Sequence, residues 1–220
     1  MASQHDDYVF TRDLLDNREN LKVADIGSGT GATSRSTTPN IKLWEWDINT
    51  PIPDDLLGAF DIINVRFMIF VVRKDDVSAT VGKLMQMLKP GGHLQWVEPD
   101  NQTVHGELLR PENSKESIES LMRLLQSQDP RLNPTWVPDL PEIFRASGLA
   151  DVDVDIHTTP PHWAYLEHEC GLIMHELIAR KTQNEAMAAE LKRLIPLAVA
   201  ETKKGAYLAT TKYAVVGRKP

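Results

Sequence analysis

The segment LKVADIGSGTGA, residues 21–32, constrains the fold of this chain more than any other. An apolar run halted by Gly27, Gly29 and Gly31 reads as a buried parallel strand entering a tight turn, where the backbone can approach a ligand without interference from Cβ atoms. Gly27, Gly29 and Ala32 also satisfy the G-x-G-x-x-G/A pattern that sets a pyrophosphate at a helix N-terminus. Taken alone, the loop is equally a tight strand-to-helix turn that holds nothing.

The residues that follow keep alternating between two periods. IKLWEWDI (41–48) and FDIINVRFMIFV (60–71) read as strands, and Val77, Val81, Leu84, Met85 and Leu88 form a helical stripe over 75–88. KPGG (89–92) stops that helix and HLQWVEPD begins a further strand, while TRDLLDN (11–17) reads as a short lead-in helix. Strands alternating with helices through glycine-rich turns imply an α/β fold, a Rossmann-like, doubly wound, mostly parallel sheet. Further on, helices are expected over 114–127 and 139–147, the latter closed by Gly148, then a strand at DVDVDIH (151–157). Two long helices, 163–181 and 184–203, precede a final strand, YLATTKYAVVG. The chain reads as a single domain over 1–220. Residues 1–112 form the cofactor-binding core, 113–205 a mostly helical cap and substrate region, and 206–220 the closing strand.

Composition narrows the function. With 31 acidic and 24 basic residues the formal charge is -7, and the basic side chains are scattered, so nucleic acid is not expected as a partner. The single cysteine, Cys170, excludes an internal disulfide framework and a cysteine-built zinc site. No apolar run approaches the roughly 20 residues of a membrane span, and MASQHDDYVF lacks the regions of a signal peptide. A soluble, cytoplasmic protein without membrane contact is the expectation, and a homodimer is compatible with it.

Asp25 before the first glycine, the strand FDIINVRF and the element LKPGGHLQWVEPD together resemble the class I S-adenosylmethionine-dependent methyltransferases. More narrowly, VADIGSGTG, WEWDINTPIPDDLLGAFDIINVRFMIFVV and LKPGGHLQWVEPD look like fungal secondary-metabolite methyltransferases and their methyltransferase-like pericyclase relatives. The resemblance covers most of residues 21–100. It implies S-adenosyl-L-methionine as cofactor, with Asp25, Gly27, Gly29, Gly31, Asp47, Ile48 and Arg66 as its contacts, and a small, largely apolar metabolite as substrate. The sulfonium methyl is already activated, so the protein mainly positions a nucleophile, excludes water and takes up a proton, and the chemistry requires no metal.

One departure from the family pattern lies between Gly31 and Phe60. Two strand-helix units of roughly 30 residues each belong there, and fewer than half that number of residues are present. ATSRSTTPN holds no leucine, isoleucine or methionine, so the usual first helix is not visible. If WEWDIN is the second strand, Asp47 would grip the ribose. If it is the third, as the following TPIPDDLLGAFDII suggests, Asp47 lies near the adenine and the ribose-binding acid is missing.

Remaining candidates cluster at the sheet's carboxyl edge and in the cap. Arg66 and Phe67 follow one strand; Glu98 and Asp100 end another, where they could orient a substrate or act as a base, or merely form a turn at Pro99. Among His105, His157, His162, His168 and His175, a general base is best sought at His162 or His168, next to Trp163 and Tyr165, although a partly exposed polar cap residue is the simpler reading of either. HELIA lacks the second histidine of a zinc motif, so no metal is expected. Trp44, Trp46, Trp96 and Trp136 read as core. Two other readings remain: a methyltransferase-derived scaffold without methyl transfer, either pericyclase-like or an inactive binding protein, and a nicotinamide-dependent oxidoreductase, which LKPGGHLQW disfavours. The short join predicts weak cofactor binding and a fold less stable than that of a full-length relative. Calorimetric titration of the folded protein with S-adenosylmethionine should give a dissociation constant weaker than micromolar, and tighter binding would contradict this.

Overall fold

A computed structural model describes residues 20–27, 42–128 and 134–220. The expected lead-in helix at 11–17, Gly29, Gly31 and the leucine-free segment after them lie outside the described residues. Strands β1 (Val23–Ile26), β2 (Phe60–Arg66), β3 (Leu88–Leu108), β4 (Ala150–Thr158) and β5 (Ala206–Arg218) hydrogen-bond in the order β1-β2-β3-β5-β4. The helices are α1 (Val77–Met87), α2 (Glu116–Gln128), α3 (Leu140–Ala146), α4 (Pro161–Lys181) and α5 (Glu185–Lys203).

β1 pairs with β2 in parallel and β2 with β3 in parallel. β5 runs against β3, since Gly91 donates its N–H to the Lys219 carbonyl and Lys219 donates its own to Gly92. The sheet is therefore Rossmann-like and mostly parallel, as the sequence implies. Its first two strands stand where the first and fourth meet in the 3-2-1-4-5-6 order.

Three expectations need correction. IKLWEWDI is not a strand: residues 42–47 are irregular and 48–50 form a turn. Local bonds take its polar groups. Asp47 Oδ1 accepts from the Asn49 backbone N–H at 2.9 Å, Thr50 donates its N–H to the Asp47 carbonyl at 2.9 Å, and Trp46 Nε1 donates to the Pro51 carbonyl at 3.1 Å. Neither alignment of Asp47 to a second or third strand holds. β2 stops at Arg66 instead of running to 71, because Phe67 turns left-handed at φ 55° and Val71 and Val72 then bond back to the Met68 carbonyl. KPGG does not precede its strand but lies within it. α1 ends at Met87, β3 starts at Leu88, and the register jumps from Phe60 opposite Leu88 to Ile62 opposite His93, so Lys89–Gly92 is taken up as a bulge with Gly91 at φ 75°.

The chain divides into two compact units. One holds the described residues up to Glu98 with Trp136–Asp155 and Tyr213–Pro220; the other holds those of Pro99–Thr135 and Ile156–Lys212. In the first, α1 and α3 bury their apolar stripes against one face of the sheet. Val77, Val81, Leu84, Leu140 and Phe144 meet Ile63, Val65, Leu94 and Trp96 there. In the second, α2, α4 and α5 enclose Ile118, Leu121, Leu191, Leu194 and Ala198. Asn184 caps α5 by accepting from the Met187 N–H. Burial raises the pKa of Glu201, but bonds from the Ser114 hydroxyl and the Ser117 and Ile118 N–H groups outweigh it and hold the carboxyl below its ordinary range. A carboxylate from α5 thus caps the start of α2. No helix among the described residues is long and apolar enough to cross a membrane.

Gly148 closes α3 as expected, at φ 93°, while Leu149 donates to the Phe144 carbonyl. A Cβ at Gly148 would meet nothing within 4 Å, so Gly148→Ala tests the backbone alone. It should lower unfolding free energy by about 1–2 kcal/mol in urea titration without changing the m-value.

Candidate active site

Parallel register sets Asp25 opposite Asn64 and Asn64 opposite Gln95. Their side chains join into a row across three strands: Asn64 Nδ2 donates to Asp25 Oδ1 at 2.9 Å, and Gln95 Nε2 donates to Asn64 Oδ1 at 3.1 Å. Arg66 adds a guanidinium nitrogen 3.7 Å from Asp25 Oδ2. One step along, Ile26, Val65 and Trp96 point to the opposite face and join the core.

The strands end at a close-packed corner. Gly27 follows β1 at φ 83°, and a Cβ there would lie 3.0 Å from Met68 Sδ and 3.3 Å from the Arg66 carbonyl oxygen, so only glycine fits. Met68 in turn donates its N–H to Glu98 Oε1 at 2.5 Å, and Trp96 Nε1 donates to the same oxygen at 2.7 Å. Glu98 is 0% exposed, and its other oxygen, Oε2, is buried with no hydrogen-bond partner. Burial pushes this carboxyl up to about 7, against the lowering pull of Trp96 and the Met68 and Ile69 backbone. The strained Phe67 sits at the same turn, and Phe67, Phe70 and Val71 present exposed apolar side chains.

The structure thus brings Asp25, Gly27, Arg66 and Glu98 together. Asp47 instead spends its Oδ1 on its own turn, and Ile48 is buried in the core, its carbonyl accepting from Lys83 Nζ at 2.7 Å. Asp100, in the second unit, accepts from the Gln102 N–H. His168 is also in that unit and buried. Its Nε2 lies 2.8 Å from the Thr202 hydroxyl, whose single proton goes to the Ala198 carbonyl, so Nε2 carries the hydrogen and donates. Burial and then the nearby His175 lower His168 to about 4, which keeps it neutral. His162 is exposed in the first turn of α4, its ring 6.0 Å from that of Trp163. No group of three metal-ligating side chains occurs among the described residues. A cleft of about 480 Å³ in the second unit is lined by Tyr165, Arg110, Lys203 and Lys204. Its cations surround the carbonyl end of α5, where they offset the helix dipole.

Asn64, Met68 and Gln95 were not singled out by sequence reasoning. Two of them carried a signal: Asn64 and Gln95, like Asp25, are polar residues inside otherwise apolar strands. Met68 carried none.

No family model matches the chain. It is 36% identical over 63 residues, 29% of its length, to methyltransferase grgD of a Penicillium species. It is 35% identical over 60 residues, 27% of its length, to N-methyltransferase verN of Clonostachys rogersoniana. The chain spans only about a fifth of these relatives, 22% and 21% of their lengths. Among solved structures, the [4+2]-cyclase SpnF matches 94% of this chain and 79% of its own at 15% identity with a TM-score of 0.52, a likeness of fold. The resemblance to fungal methyltransferases and the fold class read from the sequence are both borne out.

The buried groups leave a signature in stability. Glu98 binds a proton more tightly folded than unfolded between pH 4.5 and about 7, so its contribution is full below pH 4.5 and declines as pH rises to about 7. That loss is about 3 kcal/mol. His168 acts oppositely: its contribution is present above pH 6.5 and lost as pH falls towards 4. Glu98→Gln keeps an oxygen for Met68 and Trp96 while removing the charge. Urea titrations should show the variant matching the parent near pH 4.5 and gaining on it up to pH 7, whereas a constant difference would contradict the assignment.

Proposed function

We propose that this chain belongs to an S-adenosylmethionine-dependent methyltransferase that acts on a small, largely apolar metabolite in a fungal secondary-metabolite pathway. The observation that carries the reading is Glu98: a fully buried carboxyl with an unpartnered oxygen, bonded to Met68, which packs into the space left by the missing Cβ of Gly27 at the carboxyl end of a parallel strand.

The residues fit the cofactor. Asp25 and Arg66 offer an acceptor and a cation to its amino-acid end, joined in the proposal by Gly27, Gly29 and Gly31. When bound, S-adenosylmethionine supplies an electrophilic methyl on sulfur. Glu98 would accept at Oε2 the proton that an acceptor hydroxyl gives up. A carboxyl poised near 7 suits that role at neutral pH. His168, neutral and engaged with Thr202, is the weaker candidate, and His162 remains available as a surface base. Phe67, Phe70 and Val71 favour an apolar substrate.

A second reading has its own support. Because Asp47 is folded onto its own turn, no acid among the described residues stands where a ribose-gripping strand would place it, which favours a scaffold that no longer transfers methyl groups. Incubation with methyl-labelled cofactor and candidate metabolites separates the two: labelled product supports transfer, and rearranged, unlabelled product supports the second. For transfer to oxygen, the rate should rise with pH around a midpoint of about 7. Glu98→Gln should lower kcat about 100-fold and abolish that dependence. A variant as active as the parent would remove Glu98 from the mechanism.

A further inference from the structure

Helix α4 buries one face inside its own unit, through Ala164, His168, His175 and Ala179. Its opposite face is apolar too. Trp163, Leu166, Ile173, Met174 and Leu177 are 50%, 51%, 67%, 54% and 41% exposed, and Cys170 is exposed among them. A helix apolar on both faces is expected to be covered on both. The spacing identifies the kind of cover: Trp163, Leu166, Cys170, Ile173 and Leu177 recur at intervals of three and four, the a and d positions of a helix-helix seam.

We infer that this face of α4 pairs with the same face of a second copy of the chain. Flanking charge favours self-association and sets its direction. In a parallel, in-register pair the position before each seam turn meets the partner residue five further on, which places Glu176, already bonded to its own Arg180 at 3.2 Å, near the partner's Lys181. Reversed pairing would set Glu169 against the partner's Glu176. Parallel pairing also stacks Cys170 on the partner's Cys170 in one layer. The seam covers two heptads, about 21 Å of helix. That is short of the three or four heptads of a free-standing coiled coil, so the dimer is weak and concentration-dependent. The inference is independent of the proposed methyl transfer, since none of these residues adjoins Glu98 or Gly27.

Sedimentation equilibrium on the full chain, from low micromolar to near-millimolar concentration, should show the mass rising from one copy to two. Leu166→Glu and Ile173→Glu, at sites more than half exposed, should remain monomeric throughout with unchanged circular dichroism and melting. Mild oxidation of the parent should give a covalent dimer through Cys170, which Leu166→Glu loses at equal concentration. A parent that stays monomeric, or charged variants that dimerise like it, overturns the inference. A dimer that resists cross-linking through Cys170 overturns the parallel register.

Discussion

The ladders joining β1 to β2 and β2 to β3 bring the ends of β1 and β2 level with Val97 of β3, and the rest of the first unit depends on that alignment. Side chains alternate faces, so one register puts Asp25, Asn64 and Gln95 in a polar row and Ile26, Val65 and Trp96 in the core. A slip by one residue would exchange the two sets, burying a carboxylate and exposing a tryptophan. The polar row and the core therefore enforce one another. The consequence for function is positional: Gly27, Phe67 and Glu98 all emerge just past the paired segments, at the edge where parallel sheets meet their ligands.

Glu98 is held at this corner in a half-satisfied arrangement. Two donors converge on one oxygen, which fixes the carboxyl's orientation, yet the other oxygen has none. Full solvation would cost no stability, and a second donor would return the pKa towards the carboxylate range. The half-satisfied arrangement does neither, and the left-handed Phe67 beside it adds backbone strain. Both are tolerable because Trp96, held edge-on to Trp136 at 5.8 Å, ties the corner into the core.

Where the sequence was legible, a strong period and a partner coincided. The helix over 75–88 and the alternation of 151–157 were visible because each packs one face on the core. IKLWEWDI had the period without the partner, and local hydrogen bonds at Trp46, Asp47 and Thr50 won instead. The length of β3 was hidden for the converse reason: glycines and prolines at Lys89–Gly92 and Pro99 read as breaks, whereas the neighbouring β5 carried the strand through them. In the site, Glu98 was legible as an acid beyond the β2-paired part of β3, although the strand does not end there but runs on to Leu108. Its burial was not, because that depends on Met68, whose approach is set by the absent side chain of Gly27.

The short join between Gly31 and Phe60 leaves β1 at the end of the sheet among the described residues, and edge strands invite unwanted pairing. The chain limits that hazard at the strand itself. β1 is four residues long, too short to offer more than a few unpaired groups, and it carries Lys22 just before it and Asp25 within it. Lys22 is anchored sideways, its N–H on Asp61 Oδ2 at 2.9 Å and its ammonium 5.3 Å from the centre of the Phe60 ring. Lys42 similarly covers exposed Trp44 at 4.3 Å. Charge placed over apolar surface keeps that surface hydrated without burying it. The abridged sheet is thus protected by length and charge at the end where a further strand would otherwise give protection by pairing. The same charges make that end a poor dimer surface, in contrast to α4, whose stripe of Leu166, Cys170 and Ile173 is exposed.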